Sequence, residues 1–382
     1  MATAPASEPV LFRPSGASSD RPWPDFVGPT IALLVIFLLF MMLVPEWNRS
    51  DLGNVHDFYN QICRFANFDN ILNILRQSCT TGVAALGVTF IIIAGGIDLS
   101  AGSLAALVGV IVAVILESGP TRAANLHEHP FLIPLIAALA GVLVGFLGGL
   151  LNGALITALK IVPFIITLGS MMILRGTAKY FGHETNVPTQ PNWLWSIMGN
   201  LDDNMKWLIF PPAIWITLFL ALLMALILNY ARFGRHVIAV GSNENTARLC
   251  GINVERTKLI VYTLGGLFVG IAGLFFYSRI TQGSPTSADA FELDVIAAVV
   301  IGGGSLTGGK GSIFGSLIGA LILNVIARGC AQIHIPVFLQ HTFPSIFINS
   351  TGLPTYVQQI VTGIIIIVAV LLDKLRQRRN AG

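Results

Sequence analysis

Residues 88–116 read VTFIIIAGGIDLSAGSLAALVGVIVAVIL, two apolar runs joined by a short segment rich in glycine and polar side chains. The first run begins at about residue 71, and the second covers residues 101–116. A helix that crosses a bilayer needs about 20 mostly apolar residues. The stretch therefore predicts two membrane-spanning helices, with Asp98 in the break between them.

The rest of the chain repeats this pattern. Of the 382 residues, 54% are hydrophobic and only 11% are charged, whereas a soluble domain carries about 25% charged residues. Ten apolar runs occur, at residues 27–44, 71–93, 101–116, 131–150, 162–181, 207–228, 259–277, 293–301, 313–326 and 357–372. We therefore predict an all-α integral membrane protein with about ten transmembrane helices, some of them short or broken. A water-soluble enzyme is excluded.

The distribution of Lys and Arg predicts how the chain is oriented. These residues collect on the cytoplasmic side of short connections, and the two most basic stretches are the connection 230–258 and the tail 374–382. With ten spans, both stretches fall on the same side as the N-terminus. We expect a disordered cytoplasmic tail at residues 1–26, a transmembrane domain at residues 27–373 that includes the cytoplasmic loop 230–258, and a basic cytoplasmic tail at residues 374–382.

The loop 230–258 contains the sequence SNENTARLCG at residues 242–251. Ser242 or Asn243 can cap a helix, Glu244 is favourable in its first turn, and Gly251 can end it. So short a helix is marginal by itself and needs a partner surface. Two interpretations remain open, a docking helix outside the membrane and a solvated turn between spans.

Two glycine-rich breaks lie next to predicted spans. In the first, the Asp98 carboxylate can cap the helix that follows, or it can bind a substrate or ion, because ionisable groups at membrane depth are often functional. The second break, residues 302–312, reads GGGSLTGGKGS. The spacing from Gly304 to Lys310 fits a phosphate loop, but Gly311 stands where the magnesium-binding hydroxyl belongs. We interpret this break as a flexible turn between membrane helices.

No set of catalytic or metal-ligating residues emerges. The seven histidines are scattered, no two cysteines have the spacing of a zinc or redox site, and the pairing of Cys63 is open. The net charge of +3 without a basic patch argues against nucleic-acid binding. The predicted spans contain almost no ionisable residues, which argues against ion-coupled transport and indicates that the energy for any transport comes from elsewhere.

A series of motifs carries a family resemblance. In order along the chain they are GGIDLSAGS (95–103), GLLNG (149–153), KIVPFIITLG (160–169), RFGR (232–235), AVGSNENTARLCGI (239–252), FELDVIAAVVIGG (291–303) and QQIVTG (358–363). Together they resemble the permease subunit of ribose-type ATP-binding cassette importers, in the branched-chain amino acid and ribose permease superfamily. The resemblance covers residues 71–372.

This resemblance implies a permease of the type II importer fold that is not itself an enzyme. The implied partners are a second permease copy in a homodimer or heterodimer, two cytoplasmic ATPase subunits, and a periplasmic sugar-binding protein. ATP and magnesium are expected on the ATPases, and no cofactor on this chain. The implied function is import of a monosaccharide across the bacterial inner membrane by alternating access, with both termini cytoplasmic. A branched-chain amino acid or other small-solute permease and an ion-coupled secondary transporter are the alternatives.

The resemblance also assigns roles to residues. The polar helix in the loop 230–258 matches the family's coupling helix, which docks into the ATPase; its residues are Asn243, Glu244, Asn245, Thr246, Ala247, Arg248, Leu249 and Gly251. Glu244 and Arg248 are the expected charged contacts with the ATPase, and Glu292 and Asp294 are expected to contact the binding protein on the outer side. The family commonly has serine where Cys250 stands, a change that we expect to leave docking intact.

Polar residues in or beside the spans are candidates for the translocation path or its gate. These are Asp98, Ser100, Ser103, Asn152, Thr167, Ser170 and Asn324. A neutral polar side chain in a span can bind a hydroxylated solute, or it can form a hydrogen bond between helices. The outward insertion at residues 335–354 is longer than usual for the family, so the identity of the sugar stays open.

Overall fold

The computed structural model describes residues 26–44, 65–117, 129–199 and 208–333, together with isolated positions between residues 357 and 367. This part of the chain is mostly helical. The helices, in chain order, are α1 (Val27–Leu43), α2 (Phe68–Ile93), α3 (Ala101–Glu117), α4 (Leu132–Leu159), α5 (Pro163–Phe181), α6 (Pro212–Tyr230), α7 (Arg232–Ser242), α8 (Glu244–Leu249), α9 (Val254–Ile280), α10 (Phe291–Ile301) and α11 (Ile313–Gln332).

Nine of these helices, all except α7 and α8, coincide with predicted spans. Five of them, α2, α4, α6, α9 and α11, are long and apolar enough to cross a membrane by length and composition, and α1 and α3 are shorter apolar helices. The prediction of an all-α membrane fold with some short helices is confirmed. The tenth predicted span, both tails, Cys63 and the insertion 335–354 lie largely or wholly outside the described residues.

The centre of the bundle is α9, which packs against α2, α3 and α4. Where α4 and α9 cross, glycines on each helix allow the two backbones to touch. A Cβ atom on Gly266 would lie 2.5 Å from both the carbonyl oxygen of Gly145 and the Cα of Gly149. Because lipid is as apolar as a leucine side chain, such close backbone packing is a main source of helix association in membranes.

The two glycine-rich breaks have the same local structure. In both, the second residue after the preceding helix is a glycine with a positive φ, 79° at Gly95 and 94° at Gly303, which glycine adopts without steric cost. The N–H groups of that glycine and the next one donate to carbonyls in the last turns of the preceding helix, α2 or α10. The second break also packs on the first, since the Gly309 N–H donates to the Ile93 carbonyl at 2.8 Å.

Polar contacts fix the other end of α9. A two-residue strand β1 (Val187–Pro188) pairs antiparallel with β2 (Gln282–Gly283), directly after α9. The hydroxyl of Tyr277, in the last turn of α9, lies 2.8 Å from the hydroxyl of Thr189. The long central helix is therefore held by neighbouring segments at its C-terminal end.

Candidate functional site

The short helix predicted in the loop 230–258 is present as α8. The Asn243 side chain caps it by accepting the Thr246 N–H at 2.9 Å, and Glu244 stands in its first turn. After the helix, Gly251 has a φ of 81°. Asn243 rather than Ser242 is the cap, because the Ser242 hydroxyl donates to a carbonyl of α7 instead.

A helix that the sequence analysis missed, α7, supports α8. The buried residues of α7 are Gly234, Val237 and Val240, which lie on one face at helical spacing, a pattern visible in the sequence. Val240 packs in a small apolar cluster with Ala247 of α8 and Val254 of α9. The inner face of α8 is therefore buried between α7 and the first turn of α9.

Charged side chains fasten α8 to α9. The Lys258 Nζ lies 2.6 Å from Glu244 Oε2, and an Arg248 guanidinium nitrogen lies 2.6 Å from Glu255 Oε1. Arg248 also lies 3.6 Å from Glu244 Oε1, and its hydrogen bond to Glu255 raises the pKa of Arg248. Exposed ion pairs contribute little individually, but this network orients α8 on α9. Contact of Glu244 and Arg248 with an ATPase stays a prediction.

The outer face of α8 is open to solvent. Asn245 and Thr246 are exposed, and Leu249 has 88% of its surface accessible, the largest exposed fraction among the large hydrophobic residues that the structure describes. Leu249 is the last residue of the polar helix α8, outside the apolar spans. A single exposed leucine is common on protein surfaces, so contact of Leu249 with a partner stays a prediction.

A buried polar cluster surrounds the first glycine-rich break. The Asp98 carboxylate accepts the Ser100 N–H at 2.8 Å and the Ser100 hydroxyl at 2.6 Å. The Asn152 side chain of α4 donates to that hydroxyl at 2.8 Å, and the Ser103 hydroxyl donates to the Ser100 carbonyl. Asp98 therefore acts locally at the start of α3, binding the N–H just before the helix. A role as a solute ligand stays a prediction.

The carbonyl of Ile97 joins two further helices to this cluster. It accepts the Thr167 hydroxyl of α5 at 3.3 Å and the Tyr262 hydroxyl of α9, more weakly, at 3.5 Å. Tyr262 is eight residues beyond Val254, so the cluster lies roughly 12 Å from the start of α9 along its axis. The sequence analysis did not select Tyr262, although a tyrosine inside an apolar span is a visible signal.

The structure thus brings five of the seven predicted path residues to one break, namely Asp98, Ser100, Ser103, Asn152 and Thr167. Ser170 is partly exposed on α5, three residues beyond Thr167. Asn324 lies on α11, where its side chain donates to the Ala320 carbonyl of the same helix at 2.8 Å. Whether these residues line a path for a solute stays a prediction.

The two acidic residues expected on the outer side, Glu292 and Asp294, lie in the first turn of α10. Glu292 packs against Gly102 at the start of α3, where a side chain would collide with its carboxylate. Nearby, Arg175 of α5 lies 2.9 Å from the Asp289 carboxylate and donates to backbone carbonyls of the turn before α10. Asp294 is exposed, and contact of either residue with a binding protein stays a prediction.

Two cavities adjoin α8. One of about 390 Å³ lies between α8 and the turn from α4 to α5, beside Lys160. The other, of about 330 Å³, extends from Glu244 and Lys258 to Gly96 and Tyr262, beneath the polar cluster. In the part of the chain described, no group of three His, Cys, Asp or Glu side chains is placed to hold a metal ion. The side chains of the polar cluster are buried and hydrogen-bonded to one another around the Asp98 carboxylate.

Comparison with known families decides the class of this helical bundle. Residues 70–370 match the family model described as the permease component of the branched-chain amino acid transport system. The chain belongs to this permease family. The permease is therefore a multi-pass inner membrane protein, and the polar helix α8 stands outside the spans of a transport subunit.

Individual relatives confirm the resemblance to sugar permeases. The chain is 35% identical to the ribose import permease protein RbsC of Bacillus subtilis, over 91% of this chain and 92% of that one. It is 34% identical to the probable ABC transporter permease protein YphD of Escherichia coli, over 93% and 91% of the two chains. It is 32% identical to the L-arabinose transport system permease protein AraH of Escherichia coli, over 95% and 94%. No solved structure matches the permease.

Proposed function

We propose that this permease is the membrane subunit of an ATP-driven importer that passes a monosaccharide from the periplasm to the cytoplasm. The observation that carries the proposal is α8, a capped polar helix outside the spans. Ion pairs fasten it to α9, the central helix of this bundle, and the chain is similar to sugar permeases. Because Ala247 and the ion pairs hold α8 on α7 and α9, its exposed residues Asn245, Thr246 and Leu249 are presented away from the bundle. Its construction supports a contact with a separate subunit.

That separate subunit is an ATPase, present twice in the complex, which binds ATP and magnesium. α8 is the coupling helix, and Leu249 is its apolar contact, since the charged side chains of Glu244 and Arg248 already pair with α9. The ATPase needs only a small apolar pocket to receive the exposed leucine. The loop 230–258 and both termini face the cytoplasm.

The solute path passes the buried polar cluster at the first break. Two permease copies rock between an outward-open and an inward-open state, and the two glycine-rich breaks bend as they do so. When the breaks bend, Asp98, Ser100, Asn152 and Thr167 exchange their present hydrogen bonds for bonds to sugar hydroxyl groups. Few charged groups are available for a charged solute. A periplasmic binding protein delivers the sugar to the outer face, which includes Asp294.

The family description leaves a branched-chain amino acid as the second candidate solute, while the ribose and arabinose relatives favour a sugar. The test is uptake in proteoliposomes that contain the permease together with an ATPase and a binding protein identified from neighbouring reading frames. We expect ATP-dependent uptake of labelled ribose or arabinose that unlabelled leucine does not inhibit. ATP-dependent uptake of leucine without uptake of either sugar would contradict the proposal.

A further inference from the structure

One face of α9 connects α8 to the first glycine-rich break. Lys258 and Tyr262 are four residues apart on this helix, so their side chains are neighbours on the same face. Lys258 holds Glu244 of α8 at 2.6 Å. Tyr262 reaches the carbonyl of Ile97 in the break at 3.5 Å. A displacement of α8 reaches α9 at Val254, Glu255 and Lys258. Of these three contacts, Lys258 is the one that lies one helical turn from Tyr262, which meets the break.

The contact between Tyr262 and the break is close. A side chain on Gly96 would collide with the Tyr262 hydroxyl, and only 1% of Tyr262 is exposed. Gly95, beside it, has a φ of 79°, so this turn is built from glycine where the tyrosine approaches. Because packed groups without space between them cannot move independently, a shift of Tyr262 must move the turn.

The break has room to move on one side. The cavity of about 330 Å³ is lined by Gly95 and Gly96 at one end, by Glu244 at the other, and by Lys258 and Tyr262 between them. Both residues of α9 therefore face the same space. The crossing of α4 and α9 offers no such space, because the backbones touch there.

We propose that Lys258 and Tyr262 form a relay that passes the displacement of α8 to the break at residues 94–100. The relay rests on the proposed function, because an ATPase must move α8. The Glu244–Lys258 ion pair draws the first turns of α9 with α8, and Tyr262 then shifts the Ile97 carbonyl. Ile97 is joined to Asp98, so the hydrogen bonds of the polar cluster rearrange. Lys258 and Tyr262 act as positioning residues and need not touch the solute.

The test uses the whole importer in proteoliposomes and measures ATP hydrolysis and ribose uptake on the same vesicles. The variants are Lys258→Met, Tyr262→Phe and their combination, with Arg256→Met as a control that removes an exposed cation from the same helix. We expect each single variant to lower the sugar moved per ATP at least about fivefold, with hydrolysis within about twofold of the wild type. The double variant should be no worse than the poorer single variant, because both changes interrupt one connection.

An unchanged ratio of uptake to hydrolysis in both single variants would overturn the relay. A parallel loss of hydrolysis and uptake would also overturn it, because that result indicates a role in docking or folding. Strictly multiplicative defects in the double variant would overturn it as well, because they indicate that Lys258 and Tyr262 act independently. These results differ from a failure of the proposed function, in which the wild-type importer itself takes up no sugar.

Discussion

Replacing Leu249 with alanine tests whether the permease binds the proposed ATPase through α8. The side chain is 88% exposed, at the end of a helix whose opposite face is buried through Ala247. The change therefore removes almost no contact within the chain, and any loss of binding comes from the proposed contact with the ATPase. The substitution deletes three carbon atoms, and at about 0.8 kcal/mol for each buried carbon the lost binding free energy is about 2.4 kcal/mol.

This loss corresponds to a dissociation constant about 50-fold higher for the complex of permease and ATPase. The assay is a titration of the purified ATPase onto permease in nanodiscs, with binding followed by fluorescence. Leu249→Met keeps the apolar volume and should bind within about threefold of the wild type. Leu222→Ala, a matched leucine on the exposed surface of α6, should bind the ATPase unchanged.

An unchanged affinity for Leu249→Ala would refute the assignment of Leu249 as the apolar anchor. An equal loss of affinity in Leu222→Ala would refute it as well, because a lipid-facing leucine has no route to the ATPase. Elution of each variant as a single species in detergent shows that the permease itself is intact.

Three further predictions follow from the packing. Gly266→Ala should push α4 away from α9 and lower the unfolding free energy by about 1–3 kcal/mol through overpacking, which is measured as a lower melting temperature in detergent. Gly169→Ala, at a position with open space around it, should melt like the wild type. Asn152→Ala should lower the unfolding free energy by roughly 0.6–1.7 kcal/mol, because it removes the hydrogen bond to Ser100 in the first break. Asn324→Ala removes a hydrogen bond within one helix and should lower it less. Equal losses of unfolding free energy in the two variants would contradict this difference. Glu244→Arg places a third cation beside Arg248 and Lys258 and should abolish ATP-dependent uptake, while membrane fractionation still finds the permease in the membrane. Normal uptake by this variant would contradict a role for the ion pairs between α8 and α9.

Much of the fold is visible in the sequence because membrane helices have a strong local signal. Nine apolar runs became helices, and the short run at residues 293–301 predicted the eleven-residue α10. The sequence also narrowed the cap of α8 to Ser242 or Asn243, since a capping side chain acts on a neighbour only two or three residues away. Local chemistry of this kind does not depend on the rest of the chain.

Long-range contacts could not be read in the same way. The family resemblance implied Glu244 and Arg248 as contacts for a partner, and only the structure places Lys258 and Glu255 beside them. Tyr262 became a candidate only when the break at residues 94–100 was seen to pack on it. Pairings over such distances depend on how the helices cross, which apolar periodicity does not specify.

The central claim is that work enters the permease from a separate ATPase through α8. The most direct measurement is uptake of labelled ribose into two kinds of liposome, each with the binding protein outside. One kind holds the permease alone, and the other holds the permease, the ATPase and internal ATP. We predict no accumulation of ribose by the permease alone and accumulation against a gradient once the ATPase and ATP are present. Accumulation by the permease alone would contradict the account.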